Sequence, residues 1–241
     1  MLRITDARTG ELVAAAPARR GLTRVQAHTP WFDATALRVL LTADLLVRAL
    51  EIGGTPVWAL LTGERQQAEL HAAAAALGLR PFEDSRDIGA GLGEAQVVHV
   101  AALGGPLPEG VVAGAGPVEP ATAAPAEGAD PAVLRLALLS TARDRPVRID
   151  GGVLAAAEAT LDRWRQAVAG WARTPSRPVP DAVRVRLRTA WEDDLDVPEV
   201  LRVLAWVEDT PELPDGARFE TFAHADRLLG LDLTRDLGSP A

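Results

Sequence analysis

Short apolar runs alternate with amphipathic stretches over the N-terminal part of the chain. Apolar runs of strand length predict β-strands at residues 2–5, 11–14, 24–28, 57–61 and 96–103. Leucines at helical spacing predict a helix over 36–52, and an alanine-rich stretch predicts another over 64–77. This alternation of strands and helices predicts an α/β fold with a parallel sheet and covering helices.

Residues 105–130 have a different texture. Glycine, proline and alanine dominate there, and the hydrophobic positions show no period. Such composition is typical of a linker or a long surface loop. We therefore predict three parts: an α/β domain over 1–104, a linker over 105–130 and a helical domain over 131–241.

The remainder of the chain has a helical pattern. Asp130 followed by Pro131 is typical of a helix N-cap with proline at the first helical position. Further helices are predicted over 153–172, 181–192, 198–208 and 219–229, which together form a small bundle. The tryptophans on these helices are expected in its core, namely Trp164, Trp171, Trp191 and Trp206.

Composition and charge narrow the possible functions. The chain has 241 residues, 48% of them hydrophobic and 24% charged, as in globular proteins. It shows neither a membrane-spanning apolar run nor a signal-peptide pattern, so we expect a cytoplasmic protein without a membrane partner. Cysteine and lysine are absent, which excludes thiolate and lysine chemistry. The net charge of −8 makes tRNA an unfavoured partner.

Two segments carry a family resemblance. Residues 25–35 read V-Q-A-H-T-P-W-F-D-A-T and residues 130–140 read D-P-A-V-L-R-L-A-L-L-S. They resemble V-C-G-x-T-P-Y-D-A-T and D-P-x-x-L-R-L-x-L-L-S of the cysteinyl-tRNA synthetase and mycothiol cysteine-ligase family. Weaker matches follow the family order at 43–48, 57–62, 161–165 and 193–198. The chain looks like a shortened and degenerate member.

The resemblance implies a fold and an activity. The family joins a Rossmann-like, nucleotide-binding-type parallel sheet with covering helices to an α-helical bundle domain. Its enzymes activate cysteine with ATP and then transfer it to tRNA or to a glucosamine-inositol amine.

The family's phosphate-binding and zinc-binding residues are missing at the matching positions. The chain reads Ala36-Leu37-Arg38 where the family has H-I-G-H, and residues 104–130 contain no basic residue where K-M-S-K-S is expected. The first zinc ligand would fall near Gln26 or Ala27, and the insertion that carries the others looks deleted. We therefore predict no catalytic residue, metal or cofactor. The chain is expected to be a pseudoenzyme that acts as a binding or regulatory scaffold for another protein or for itself.

The alternative is a remodelled ATP-dependent cysteine ligase, or a protein that binds an aminoacyl adenylate or nucleotide through a remnant pocket. By resemblance, Thr29, Asp33, Thr35 and Thr62 lie in its walls, and His99 aligns with a family histidine. ATP and magnesium are cofactors only in this case, so whether the chain is an enzyme stays open. The competing interpretation is structural, because Asp and Thr also cap backbone groups.

Three further features receive structural interpretations. A lone strand histidine, such as His28, is more often structural than functional. The glycine-rich residues 89–93 fit no phosphate-loop spacing and are predicted to be a turn. The acidic run 192–196 is expected at a helix junction, where carboxylates favour the N-terminus of the next helix.

Overall fold

The computed structural model describes residues 1–18, 21–63, 65–84, 94–120 and 130–238. The strands are β1 (Arg3–Thr5), β2 (Leu12–Ala14), β3 (Leu22–Thr29), β4 (Val57–Gly63), β5 (Glu83–Asp84), β6 (Glu94–Ala102), β7 (Val111–Ala115), β8 (Val118–Glu119) and β9 (Val147–Arg148). The helices are α1 (Ala34–Ile52), α2 (Gln67–Ala76), α3 (Pro131–Leu139), α4 (Gly151–Trp171), α5 (Asp181–Glu192), α6 (Val197–Asp209) and α7 (Asp215–Leu229).

The centre of the α/β part is a five-stranded sheet in the order β5-β4-β3-β6-β7. All neighbouring strands in it are parallel. The chain enters at β3, moves outward through β4 to β5, and then returns to the other side of β3 with β6 and β7. This Rossmann-like winding, with helices packed on the sheet, confirms the predicted fold class and places the reversal of strand order between β3 and β6.

The segment predicted to be a linker contains part of this sheet. β7 pairs with β6 from Val98 opposite Val111 to Ala102 opposite Ala115, and Ala115 is fully buried. A Cβ atom at Gly114 would lie 2.4 Å from the Leu103 side chain, and one at Gly116 would lie 2.4 Å from the Arg145 carbonyl oxygen. The linker prediction is therefore wrong for residues 111–119, because close packing rather than flexibility explains these glycines. The division into domains stays a prediction.

Helix α1 joins the sheet to the helical part. It begins at the N-cap Asp33, and nearly all of its side chains are buried. It contacts β3, β4, β6 and β7 as well as α2 and α7. Because the helix is buried on every face, its apolar residues are not confined to one face as in an amphipathic surface helix.

A buried ion pair fixes α1 against α3. Arg135 donates to the Asp44 carboxylate at 2.6 Å, and both side chains are fully buried. The same guanidinium donates to the Leu229 carbonyl oxygen at 2.6 Å, which ties the end of α7 to the pair.

The helices after Asp130 agree with the predicted bundle. Phe222 meets Trp164 and Trp171 edge-on, with ring centroids 5.6 and 5.1 Å apart. Trp206 corrects the core prediction, because it is 45% exposed and lies under the Arg186 guanidinium. Helix α6 turns Val200, Val203, Leu204 and Val207 inward, which leaves Trp206 on the opposite side.

The acidic run 192–196 has structural contacts, as predicted. Asp196 caps α6 by accepting from the Glu199 amide at 3.0 Å, and Asp194 accepts from the Thr5 amide at 2.7 Å. Glu192 pairs with the N-terminal amino group at 2.9 Å. Among the described helices, none combines the length and apolar character needed to cross a bilayer.

Candidate functional site

A cavity of about 670 Å³ lies at the carboxyl ends of β3, β4 and β6, beside the start of α1. Parallel sheets bind ligands at this edge, where the strand order reverses. Its wall includes the ends of the three strands, the first turns of α1 and a proline-rich loop. The described lining residues are His28, Thr29, Pro30, Trp31, Asp33, Thr35, Ala36, Val39, Thr62, Gly63, 101–108 and Pro117.

The structure brings most of the predicted site residues together at this cavity. Thr29, Asp33, Thr35 and Thr62 all line it. His99 lies behind the wall and contacts it through His28. The clustering follows from the topology, since β3 and β4 end side by side and α1 begins after β3. What these residues bind stays a prediction.

Two of the predicted residues also have structural roles. The Asp33 carboxylate accepts from the Ala36 amide at 2.7 Å and from Trp31 Nε1 at 2.8 Å. The Thr35 hydroxyl accepts from the Val118 amide at 3.1 Å, which holds β8 against α1. Both side chains satisfy backbone groups, as the structural interpretation expects.

The two strand-end threonines differ in their hydrogen bonds. Thr62 Oγ1 accepts from Gln26 Nε2 at 2.7 Å. Gln26 stands near the position where the resemblance places the first zinc ligand, and its amide is used in this bond. Thr29 is 1% exposed, and no described residue gives its hydroxyl a hydrogen-bond partner. A buried hydroxyl without a protein partner at a cavity wall is available for a hydrogen bond to a ligand or to a water molecule.

A histidine pair forms part of the wall. His28 Nε2 lies 2.9 Å from His99 Nδ1, and the two rings are tilted by 51°. Burial, together with the nearby His99, lowers the pKa of His28 to about 4. His28 is therefore neutral near pH 7.

Sequence reasoning missed His28 and Trp31 as wall residues. The signal for His28 was a second histidine on another strand. The register of the two strands is needed to bring the histidines together. It places His99 opposite Gln26, two residues before His28 on the neighbouring strand. Trp31 is 57% exposed at the wall of the cavity.

The described wall carries little positive charge. Its ionisable members are Asp33 and the neutral His28, and none of its residues is an arginine. Arg38 lies one turn further along α1, but its guanidinium donates to carbonyl oxygens, including Ala142 at 2.8 Å and Gly116 at 3.2 Å. Burial lowers the pKa of Arg38 to about 10. The described wall thus offers no arginine side chain to a phosphate group.

Metal-binding geometry is also missing in the part of the chain that the structure describes. No group of three or more His, Asp or Glu side chains there is placed to hold a metal ion. The glycine-rich residues 89–93, predicted to be a turn, lie outside the described residues.

Comparisons with known proteins agree with the resemblance in the sequence. No protein-family model matches the chain. Three curated relatives are each named L-cysteine:1D-myo-inositol 2-amino-2-deoxy-alpha-D-glucopyranoside ligase. The Nocardiopsis dassonvillei protein is 40% identical over 114 residues, which cover 44% of this chain and 26% of the relative. The Parafrankia sp. protein is 38% identical over 117 residues, covering 45% and 26%.

The third relative, from Nakamurella multipartita, is 40% identical over 108 residues, which cover 44% of this chain and 24% of the relative. The match thus spans about a quarter of the length of these curated relatives. Over about 45% of its own length, the chain is therefore similar to these cysteine ligases, in agreement with the resemblance of its sequence motifs.

Proposed function

We propose that this chain is a pseudoenzyme with a cysteine-ligase-like fold, which acts as a binding or regulatory protein and does not form an aminoacyl adenylate. The observation that carries the proposal is the charge of the cavity wall. Its described residues include the Asp33 carboxylate and no arginine. Arginine is the only strongly basic side chain that this lysine-free sequence offers.

Adenylate formation needs charge stabilisation at the phosphates. Protein cations and preorganised donors stabilise the developing negative charge, and loss of one such donor typically costs about 10²–10³ in rate. Ala36 and Leu37, which stand where the family has its first ATP signature, carry no side-chain donor. The nearest arginine of α1, Arg38, has its guanidinium hydrogens bound to carbonyl oxygens.

The exposed surface beside the cavity supports a binding role. Trp31 is 57% exposed, and its indole is held by the Asp33 carboxylate at 2.8 Å. A large side chain that is both exposed and held in position suits a contact surface. Another protein or a second copy of the chain is the partner that we propose.

The alternative is a remodelled cysteine ligase or a nucleotide-binding protein that uses ATP and magnesium. One observation favours it: Thr29, Asp33 and Thr62 meet at one cavity. The unpartnered Thr29 hydroxyl is a ready hydrogen-bonding group for a ligand in that cavity.

Cysteine-dependent exchange of pyrophosphate into ATP separates the two proposals. We expect no exchange above the level without protein when the chain is incubated with ATP, magnesium and L-cysteine. The Nocardiopsis dassonvillei relative serves as the positive control. Exchange that requires cysteine and decreases in Asp33→Asn would establish the ligase alternative and end the pseudoenzyme proposal.

A further inference from the structure

The His28–His99 pair is a polar point in a cavity wall that is otherwise mostly apolar. We propose that this pair recognises the polar head group of an uncharged small molecule, whose apolar body lies against Trp31 and the prolines of the wall. The inference rests on the proposed function, since it names the class of ligand that the cavity of such a binding protein takes.

The hydrogen bond between the rings decides which atom of His28 remains for a ligand. His28 Nε2 is bound to His99 Nδ1 at 2.9 Å. Among the described residues, the other ring nitrogen of His28, Nδ1, has no hydrogen-bond partner. Because His28 lines the cavity, Nδ1 is the atom that we assign to the ligand.

The tautomer of the pair decides whether this atom accepts or donates a hydrogen bond. In the single N–H···N bond between the rings, one imidazole donates and the other accepts. If His28 donates through Nε2, its Nδ1 accepts from a ligand; if His99 donates, the Nδ1 of His28 carries the hydrogen and donates. An amide or a hydroxyl group, which offers both a donor and an acceptor, fits either arrangement.

The charges around the pair disfavour anionic ligands. The pKa of His28 is lowered to about 4, so the ring is neutral near pH 7 and does not attract a carboxylate or phosphate. Asp33, the acid in the described wall, repels an anion as well. The nearby Pro30, Trp31 and Leu107 offer apolar surface for the body of a ligand.

Three probes of similar size isolate the head group. Benzamide carries a neutral amide, benzoate carries a charged carboxylate in the same shape, and toluene has no polar group. We expect benzamide to bind about fivefold to tenfold more tightly than either of the others, as one hydrogen bond allows. The measurement is an NMR titration of ¹⁵N-labelled protein that follows the ring nitrogens, in which benzamide shifts the His28 Nδ1 signal.

Variants test whether His28 is responsible. His28→Phe keeps the ring but removes both nitrogens, so benzamide should then bind no better than toluene. His28→Gln restores an amide with a donor and an acceptor and should recover part of the preference. His71→Phe is the matched control, because His71 lies on α2 outside the cavity wall and its replacement should change nothing.

Several results would overturn the inference: equal binding of benzamide and toluene, tighter binding of benzoate, or an unchanged His28 Nδ1 signal at saturation. The last readout uses the unaltered protein and so holds even if a variant fails to fold. These outcomes leave the proposed function intact, whereas pyrophosphate exchange would end it whatever the probes show.

Discussion

At the scale of residues, the hydroxyls of Thr29 and Thr35 differ in whether they have a hydrogen-bond partner. The Thr29 hydroxyl is buried, and the described residues do not satisfy it. Thr35 lines the same cavity, but its hydroxyl accepts from the Val118 amide at 3.1 Å. The two threonines thus form a matched pair: the Thr35 hydroxyl has a backbone partner, and the Thr29 hydroxyl has none among the described residues.

Replacement of each threonine by valine should therefore have opposite effects on stability. Thr29→Val removes a buried hydroxyl without a protein partner, so the free energy of unfolding should rise or stay unchanged. Thr35→Val leaves the Val118 amide without its acceptor and should lower that free energy by about 1–2 kcal/mol. Urea unfolding measures both. An equal loss in the two variants would show that Thr29 has a structural partner in the protein.

The lowered pKa of His28 should make the stability of the protein depend on pH. This pKa falls from 6.5 to about 4 on folding, so the unfolded state binds more protons between these values. Stability should therefore fall as the pH decreases from about 6.5 to about 4. His28→Phe should show a smaller decrease over this window. Urea midpoints of the two proteins measure the difference.

Other titrating groups make the comparison with the variant necessary. Burial and nearby arginines also lower the pKa of His224, which adds a decrease in the same direction. Burial raises the pKa of Asp226, which acts in the opposite direction. Among the described residues, His99 on β6 is the titratable group in contact with His28, and Asp33 at the start of α1 lines the same cavity. Parallel pH profiles for the two proteins would contradict the role of His28.

At the scale of elements, helix α1 holds the molecule together. It packs against the sheet and carries Asp44. The Asp44 carboxylate accepts from Arg135 of α3 at 2.6 Å and from Arg48 at 2.8 Å. Both members of the Asp44–Arg135 pair are fully buried. Loss of one member leaves a charge in the interior without its main partner.

Arg135→Met should accordingly destabilise the protein strongly. We expect a loss of about 3–5 kcal/mol in the free energy of unfolding, because Asp44 remains buried. Arg184→Met is the matched control: Arg184 pairs with Asp181 on the exposed surface of α5, and such pairs contribute about 0–1 kcal/mol. Chemical denaturation measures both variants. A similar small loss in each would mean that solvent reaches the Asp44 pair.

The elements that the sequence predicted well are those with a strong local pattern. The helix predicted over 36–52 is found at Ala34–Ile52, and the one over 181–192 matches Asp181–Glu192. Both have apolar residues at helical spacing and a clear end. β7 was missed because its small residues, V-V-A-G-A, have the composition of a loop. Its strand character comes from pairing with β6 and from packing against Leu103, which no local pattern reveals.

At the scale of the whole molecule, the topology assembles the candidate site. Thr29 and Thr62 lie at the carboxyl ends of two neighbouring strands, and β3 and β6 flank the reversal of strand order. The family resemblance identified these residues as candidates. That they lie close together could be seen only from the order of the strands in the sheet. The His28–His99 contact could not be predicted, because it depends on the register of two strands far apart in the sequence.

The central claim is that the described wall of the cavity carries a carboxylate and no arginine. From this wall we propose that the cavity, at the ligand-binding edge of the sheet, does not bind phosphates. The composition of the described wall supports this proposal, because it includes Asp33 and no arginine.

Isothermal titration calorimetry with ATP and magnesium tests this claim most directly. The same protein sample is then titrated with a non-hydrolysable cysteinyl-adenylate analogue, and circular dichroism verifies that it is folded. We predict no heat of binding for either ligand, since the described wall offers no cation for the phosphates. Micromolar binding of ATP, reduced in Asp33→Asn or Thr62→Val, would contradict the account and establish a working nucleotide site.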